Sequence, residues 1–113
     1  MGIRQERLAD EIRDIIANLF SGGQLSDPRI SGVCITAVKL SGDLQIANVY
    51  YRNILDSKTP DEIIRGLESV TGFLRHQLSE HIDVRRIPAL RFFYDESIDR
   101  ANRIESLLTS IKE

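Results

Sequence analysis

The sequence predicts an α+β fold, a three-stranded sheet with helices packed on one face. Three observations carry this expectation. Apolar residues recur at helical spacing near both ends of the chain, two β-rich segments are joined by a short glycine link, and a capped central helix leads into an aromatic strand opened by proline.

Leu8, Ile12, Ile15, Ile16 and Leu19 fall on one helical face, so the segment from Arg4 to about Phe20 reads as an amphipathic helix, ended by Ser21, Gly22 and Gly23. Asp27 and Pro28 mark a turn. Strand chemistry runs from Val33 to Leu40, where Val33, Ile35 and Ala37 alternate and Val38 and Leu40 are out of step with them. A slip of one position in a period of two implies a bulge. Ser41 and Gly42 form the link, with Gly42 able to take positive φ, and Leu44 to Arg52 resumes the strand pattern as the second arm of a hairpin. Asn53 to Lys58 is then a connecting loop.

Thr59, Pro60, Asp61 and Glu62 combine an N-cap hydroxyl, a proline at the first helical position and a glutamate at the third, which is a capping box with acids at the positive helix end. Ile63, Leu67, Val70, Leu74 and Leu78 supply the buried stripe of this helix. Gly72 interrupts the pattern at a cost of about 1 kcal/mol relative to alanine, so a break or kink is expected there. Pro88 cannot donate to a ladder and suits the first residue of a strand, with Leu90, Phe92 and Tyr94 alternating behind it from Ala89 to about Asp95. Ala101, Ile104, Leu108 and Ile111 then predict a final amphipathic helix beginning near Ser97 or Asp99.

At 113 residues the chain is the size of one domain, and residues 1–113 are read as such. Hydrophobic residues at 42% and charged residues at 28% exclude a disordered or fibrous class. No apolar run spans a bilayer and the first residues lack a signal-peptide pattern, which predicts a cytoplasmic protein without a membrane partner. Cys34 is the single cysteine, which suits a reducing compartment, and in an apolar strand it reads as a small buried hydrophobe.

The formal net charge of −2 argues against indiscriminate binding of polyanions. Its distribution is uneven. Between Arg65 and Arg91 the bases Arg65, Arg75, Arg85, Arg86 and Arg91 outnumber the acids Glu68, Glu80 and Asp83. Gly72 permits either close packing on the sheet or approach by another backbone, Arg75 lies one turn beyond it, and Arg85 and Arg86 occupy the turn before Pro88. These residues point to an RNA-binding surface with Gly72, Arg75, Arg85 and Arg86 as the main contact and His76 and Arg91 as secondary ones. Phe93 and Tyr94 read either as core or as a platform for stacked bases. His76 and His81 are five apart, which sets their rings roughly 140° apart around a helix, so no metal site is expected. No catalytic residue set, phosphate-cradling loop or cofactor motif is found.

With these residues in view, the chain resembles the ribosome-binding factor A family over roughly Arg4 to Ile111. The resemblance rests on Asp27, Pro28 and Arg29; on Ser41 to Leu44 with Ala47, Val49 and Tyr50; on Gly72 to Arg75; and on Arg85, Pro88, Leu90, Phe92, Asp95 and Ser97. It implies a type II KH-like domain, α-β-β-α-kink-α-β, whose Ala-x-Gly kink reads Val70, Thr71, Gly72 here, with valine departing from the family's alanine. It further implies a non-enzymatic factor that binds small-subunit (16S) rRNA and free or immature 30S subunits. Such factors assist late rRNA maturation and cold adaptation, and are released with help from a ribosome-associated GTPase. A monomer is expected.

Two other classes compete. A protein-interaction module would dock a partner on the terminal helices or the hairpin edge, in keeping with the acidic total. A helix-turn-helix DNA binder would use the helices meeting near Gly72, but its hydrophobic turn and strongly basic second helix are missing.

Overall fold

The computed structural model describes residues 2–55 and 58–97. The final helix expected to run to Ile111 lies, beyond Ser97, outside these residues. Helix α1, Gly2–Ser21, buries Ala9, Ile12, Ile16 and Leu19. It stops where the expected glycines sit: the Gly22 amide donates to the Asn18 carbonyl at 2.8 Å and Gly23 takes φ 74°. Asp27 then caps a 3-10 turn, Pro28–Ile30, whose Ile30 is buried.

Strands β1, Val33–Leu40, and β2, Ile46–Asn53, pair antiparallel as the expected hairpin. The register shifts between Ile35, opposite Tyr51, and Ala37, opposite Tyr50, so Thr36 is the bulged residue. The bulge aims the Thr36 hydroxyl at Asp95 Oδ2, to which it donates at 2.5 Å. Gly42 is not the left-handed residue of the hairpin; Leu44 is, with φ 61°. The turn is held by polar groups: Asp43 Oδ1 accepts the Ser41 hydroxyl at 2.7 Å and the Gln45 amide at 3.1 Å. These bonds fix Leu44 in a conformation that its side chain alone disfavours by about 1–2 kcal/mol. Cys34 is exposed, which corrects the buried reading. The alternation that buries Val33 and Ile35 turns Cys34 outward, opposite Arg52.

Helix α2, Pro60–His81, opens on the complete capping box: the Glu62 amide donates to Thr59 Oγ1 at 3.2 Å and the Thr59 amide to Glu62 Oε2 at 2.9 Å. It is one α-helix of 22 residues, so the chain does not divide into two helices at Gly72. The reason is burial. Ile63 and Leu67 before the glycine and Leu74 and Leu78 after it are all buried, each worth about 1.5–3 kcal/mol, against the glycine's cost of about 1 kcal/mol. Within the Val70, Thr71, Gly72 motif, the Thr71 hydroxyl donates to the Leu67 carbonyl at 2.8 Å, a back-bond that locally bends helices.

Strand β3, Ala89–Tyr94, follows the buried Pro88 and pairs parallel with β2, giving the order β1-β2-β3. The parallel pairing follows from the path of the chain, since α2 carries it back to the end of the sheet where β2 began. Core residues of α1, α2, the sheet and the 3-10 turn join one apolar cluster, with Ala47, Val49 and Tyr51 of β2 at its floor. The architecture is α+β, with both helices on one face of the sheet, and is consistent with a KH-like domain.

Candidate nucleic-acid interface

Helix α2 is seated through Gly66, a residue to which the sequence pattern drew no attention. A Cβ placed there would lie 2.7 Å from Ile30 Cγ2 and 3.0 Å from Arg29 Cβ, so the glycine lets the helix close on the 3-10 turn. That contact has a polar rim. Asp27 Oδ2 accepts from the Arg29 guanidinium at 2.6 Å and from the Ser69 hydroxyl at 3.0 Å, while Asp27 Oδ1 accepts the Arg29 amide at 2.9 Å. The Arg29 side chain first, then its amide and Ser69, hold the Asp27 carboxyl well below the usual carboxylate range. The same seat leaves Ser69, Gly72 and Phe73 on the exposed side of α2, where Phe73 is 41% exposed. Leu25, Val70 and Phe73 form the apolar wall of a concavity of about 680 Å³ closed by Asp27, Arg29 and Ser69.

Gly72 itself faces open space, with nothing within 4 Å of an added Cβ. Close packing on the sheet is thereby removed as its explanation, and approach by another backbone is left unobstructed. Arg75 is exposed and already engaged within the fold. Its guanidinium donates to the carbonyls of Ile87 at 2.9 Å and Pro88 at 3.3 Å, tying the turn after α2 to the helix. His76 Nε2 lies 2.9 Å from Glu80 Oε1 on an exposed helical turn.

Arg85 and Arg86 are both exposed and line a second concavity, of about 560 Å³, against Arg4 and Leu8 of α1 and the hairpin turn at Asp43 and Leu44. The structure thus brings Arg75 to the 87–88 segment and Arg85 and Arg86 to Arg4. It leaves Arg91 apart. Arg91 alternates with Leu90 and Phe92, which pack on the core, and lies beside Asn48 of β2 on the opposite face of the sheet. The Phe93 and Tyr94 pair is likewise split. Phe93 meets Tyr50 on that open face, ring centroids 5.7 Å apart, whereas Tyr94 packs edge-on against the buried Tyr51 at 5.9 Å.

Arg4 and Ser69 carry no signal in the sequence, and Asp27 and Arg29, readable there as turn and family residues, are joined to Ser69 only by the fold. Arg4 is one of three arginines in α1, with Arg7 and Arg13, and only the fold sets it in the concavity that Arg85 also lines. The Asp-Pro-Arg sequence, by contrast, carried a readable signal, an N-capping aspartate two residues before an arginine.

Among the described residues no cluster of His, Cys, Asp and Glu could hold a metal ion, and no helix is long and apolar enough to cross a membrane. Comparison with known proteins matches residues 4–108 to the family model for ribosome-binding factor A. A ribosome-binding factor A of Pelobacter propionicus is 42% identical over 111 residues, covering 98% of this chain and 90% of that one. One from Geobacter sulfurreducens is 38% identical over 109 residues, covering 96% and 92%. Among solved structures, the crystal structure of ribosome-binding factor A from Thermus thermophilus shares the fold, with TM-score 0.72 at 24% identity over 82% of this chain and 97% of that one. A homology model of the Thermus thermophilus ribosome-binding factor A, fitted into the cryo-EM map of its 30S complex, gives TM-score 0.63 at 24% identity, over 78% of this chain and 91% of that one.

Proposed function

Because the chain belongs to the ribosome-binding factor A family, we propose that it is a non-catalytic RNA-binding factor of the small ribosomal subunit, acting in the cytoplasm as a monomer. The family match over residues 4–108 is the observation that carries this reading. Its work is to hold one arrangement of immature 16S rRNA more tightly than another, which shifts a folding equilibrium by that difference in affinity and thereby assists late maturation. A ribosome-associated GTPase releases it.

The contact surface in this reading combines the exposed backbone at Gly72 with the arginines at 85 and 86. The open space around Gly72 and the exposure of both arginines support it. Arg75 takes a positioning role, since its bonds to the Ile87 and Pro88 carbonyls hold the segment that carries Arg85 and Arg86. Arg4 joins the same concavity, where three arginines stand with Asp43 and Asp83.

Sedimentation of the chain with 30S subunits, and with bare 16S rRNA fragments, tests the proposal. Binding to both is expected. Replacing Arg85 and Arg86 together by alanine should weaken binding and flatten its salt dependence by roughly 0.7 to 1 in log–log slope per lost phosphate contact. Retention on ribosomal proteins alone, with no affinity for the rRNA, would instead favour a protein-docking module.

A further inference from the structure

The face of the sheet turned away from the helices is built unlike an ordinary solvated surface. Antiparallel sheets usually alternate apolar core residues with polar ones outside. Here the outward rows read Lys39, Asn48, Arg91 across one level and Ala37, Tyr50, Phe93 across the next, two residues or about 6.6 Å further along. Arg52 and Cys34 make the level beyond.

Phe93 is 44% exposed and in ring contact with Tyr50, and the Lys39 ammonium sits 5.6 Å from the Tyr50 centroid. Lys39, Cys34 and Arg91 are exposed as well. Two acids, Asp95 and Glu96, share a concavity with Ala37, Lys39 and Tyr50. Asp95 is already engaged, its carboxylate accepting the Thr36 hydroxyl and the Ser97 amide. The exposed Phe93 ring, and the half-buried Tyr50 ring from which the flexible Lys39 side chain must swing aside, lie beside a row of two cations and an amide. This matches one chemistry well: unpaired bases stacking on the rings, phosphates meeting the cations, and the amide reading a base edge. A duplex offers no such bases.

We propose that this open face is a second RNA surface, on which unpaired bases stack against Tyr50 and Phe93 while Lys39 and Arg91 meet the adjoining phosphates. The inference rests on the RNA-binding reading above and adds a surface on the side of the sheet away from α2. It also gives Arg91 a partner, which the arrangement around Gly72 does not.

A cross-strand aromatic pair also stabilises a sheet, so the test separates folding from binding. The full chain is titrated against a fluorescently labelled single-stranded oligouridine and against a labelled RNA duplex, with 30S sedimentation run in parallel. The single strand should bind in preference to the duplex. Tyr50→Leu with Phe93→Leu, in protein whose circular dichroism and melting are those of a folded chain, should weaken it at least about tenfold with an unchanged salt slope. Tyr50→Phe should retain affinity even if the double variant folds poorly, and Lys39→Ala with Arg91→Ala should lower the slope. Oligouridine affinity unchanged in Tyr50→Leu with Phe93→Leu, or none in the parent chain, overturns the sheet-face proposal. Should the parent chain still sediment with 30S subunits in that second case, the ribosomal reading survives alone. If it binds neither, both fall.

Discussion

Helix α2 carries two glycines six residues apart, and the structure assigns opposite signs to the same substitution at each. At Gly72 an added methyl meets nothing within 4 Å, so Gly72→Ala gains the helix propensity difference of about 0.8–1 kcal/mol with no steric offset. For a chain of 113 residues that is roughly a 3–4 °C rise in Tm. At Gly66 the same propensity gain is opposed. The methyl would sit 2.7 Å from Ile30 Cγ2, where ordinary carbon contacts lie at about 3.5–4.0 Å, and Ile30 is 3% exposed with no room to withdraw. Relief requires the helix and the 3-10 turn to separate by close to 1 Å, an overpacking cost of about 1–3 kcal/mol. The propensity term cancels in the comparison, so Gly72→Ala should exceed Gly66→Ala in stability by about 1–3 kcal/mol. Urea unfolding followed by far-UV circular dichroism, with equal m values for the two variants, measures that difference directly. Equal stability, or a more stable Gly66→Ala, would refute the packing argument. A destabilised Gly72→Ala would show that the glycine is needed within the folded protein itself.

Arg75→Met keeps the aliphatic stem and removes the bonds to the Ile87 and Pro88 carbonyls; a loss of roughly 1 kcal/mol is expected in urea, together with faster amide exchange around Ala89, and unchanged exchange there would contradict the clamp. Thr59→Ala breaks the capping box and should cost about 1 kcal/mol, read as a lowered Tm, with Thr59→Ser restoring it. Asp95 is held at about 2 against an ordinary 3.8, first by the Thr36 hydroxyl, then by Ser97 and Arg52. A depressed carboxylate contributes stability above its unfolded pKa and loses it as pH falls through the folded one, so the contribution should disappear between about pH 4 and pH 2. Asp95→Asn should flatten the stability profile in that window. Identical slopes for variant and parent would remove the role assigned to the Thr36 bulge. Asp27 acts in the same direction, and Asp27→Asn should flatten the profile further.

The local signals behaved as neighbouring residues dictate. The capping box at Thr59, the stop at Gly22 and Gly23, the extent of β1 and the start of β3 after Pro88 each depend on groups within a turn or two of one another, and each is found where the chain chemistry places it. Even the outward turn of Cys34 and the separation of Phe93 from Tyr94 follow from the period of two, once each strand's buried side is known. The bulge was legible as a slip in pattern, although the unpaired residue is Thr36.

What local chemistry could not supply was the identity of each residue's distant neighbour. Gly66 and Gly72 are alike in sequence, and only the seating of α2 against a 3-10 turn some 36 residues earlier in the chain distinguishes the contact glycine from the open one. The arginines are equally alike as charges. Arg75 is bound to two carbonyls, Arg85 and Arg86 gather beside Arg4, and Arg91 stands across the sheet. Propensity, caps and periodicity act over a few residues and are written in the chain itself. Which cation remains available to a partner is settled by burial of the apolar stripes, which fixes the helices on the sheet and carries every polar group to its final neighbours.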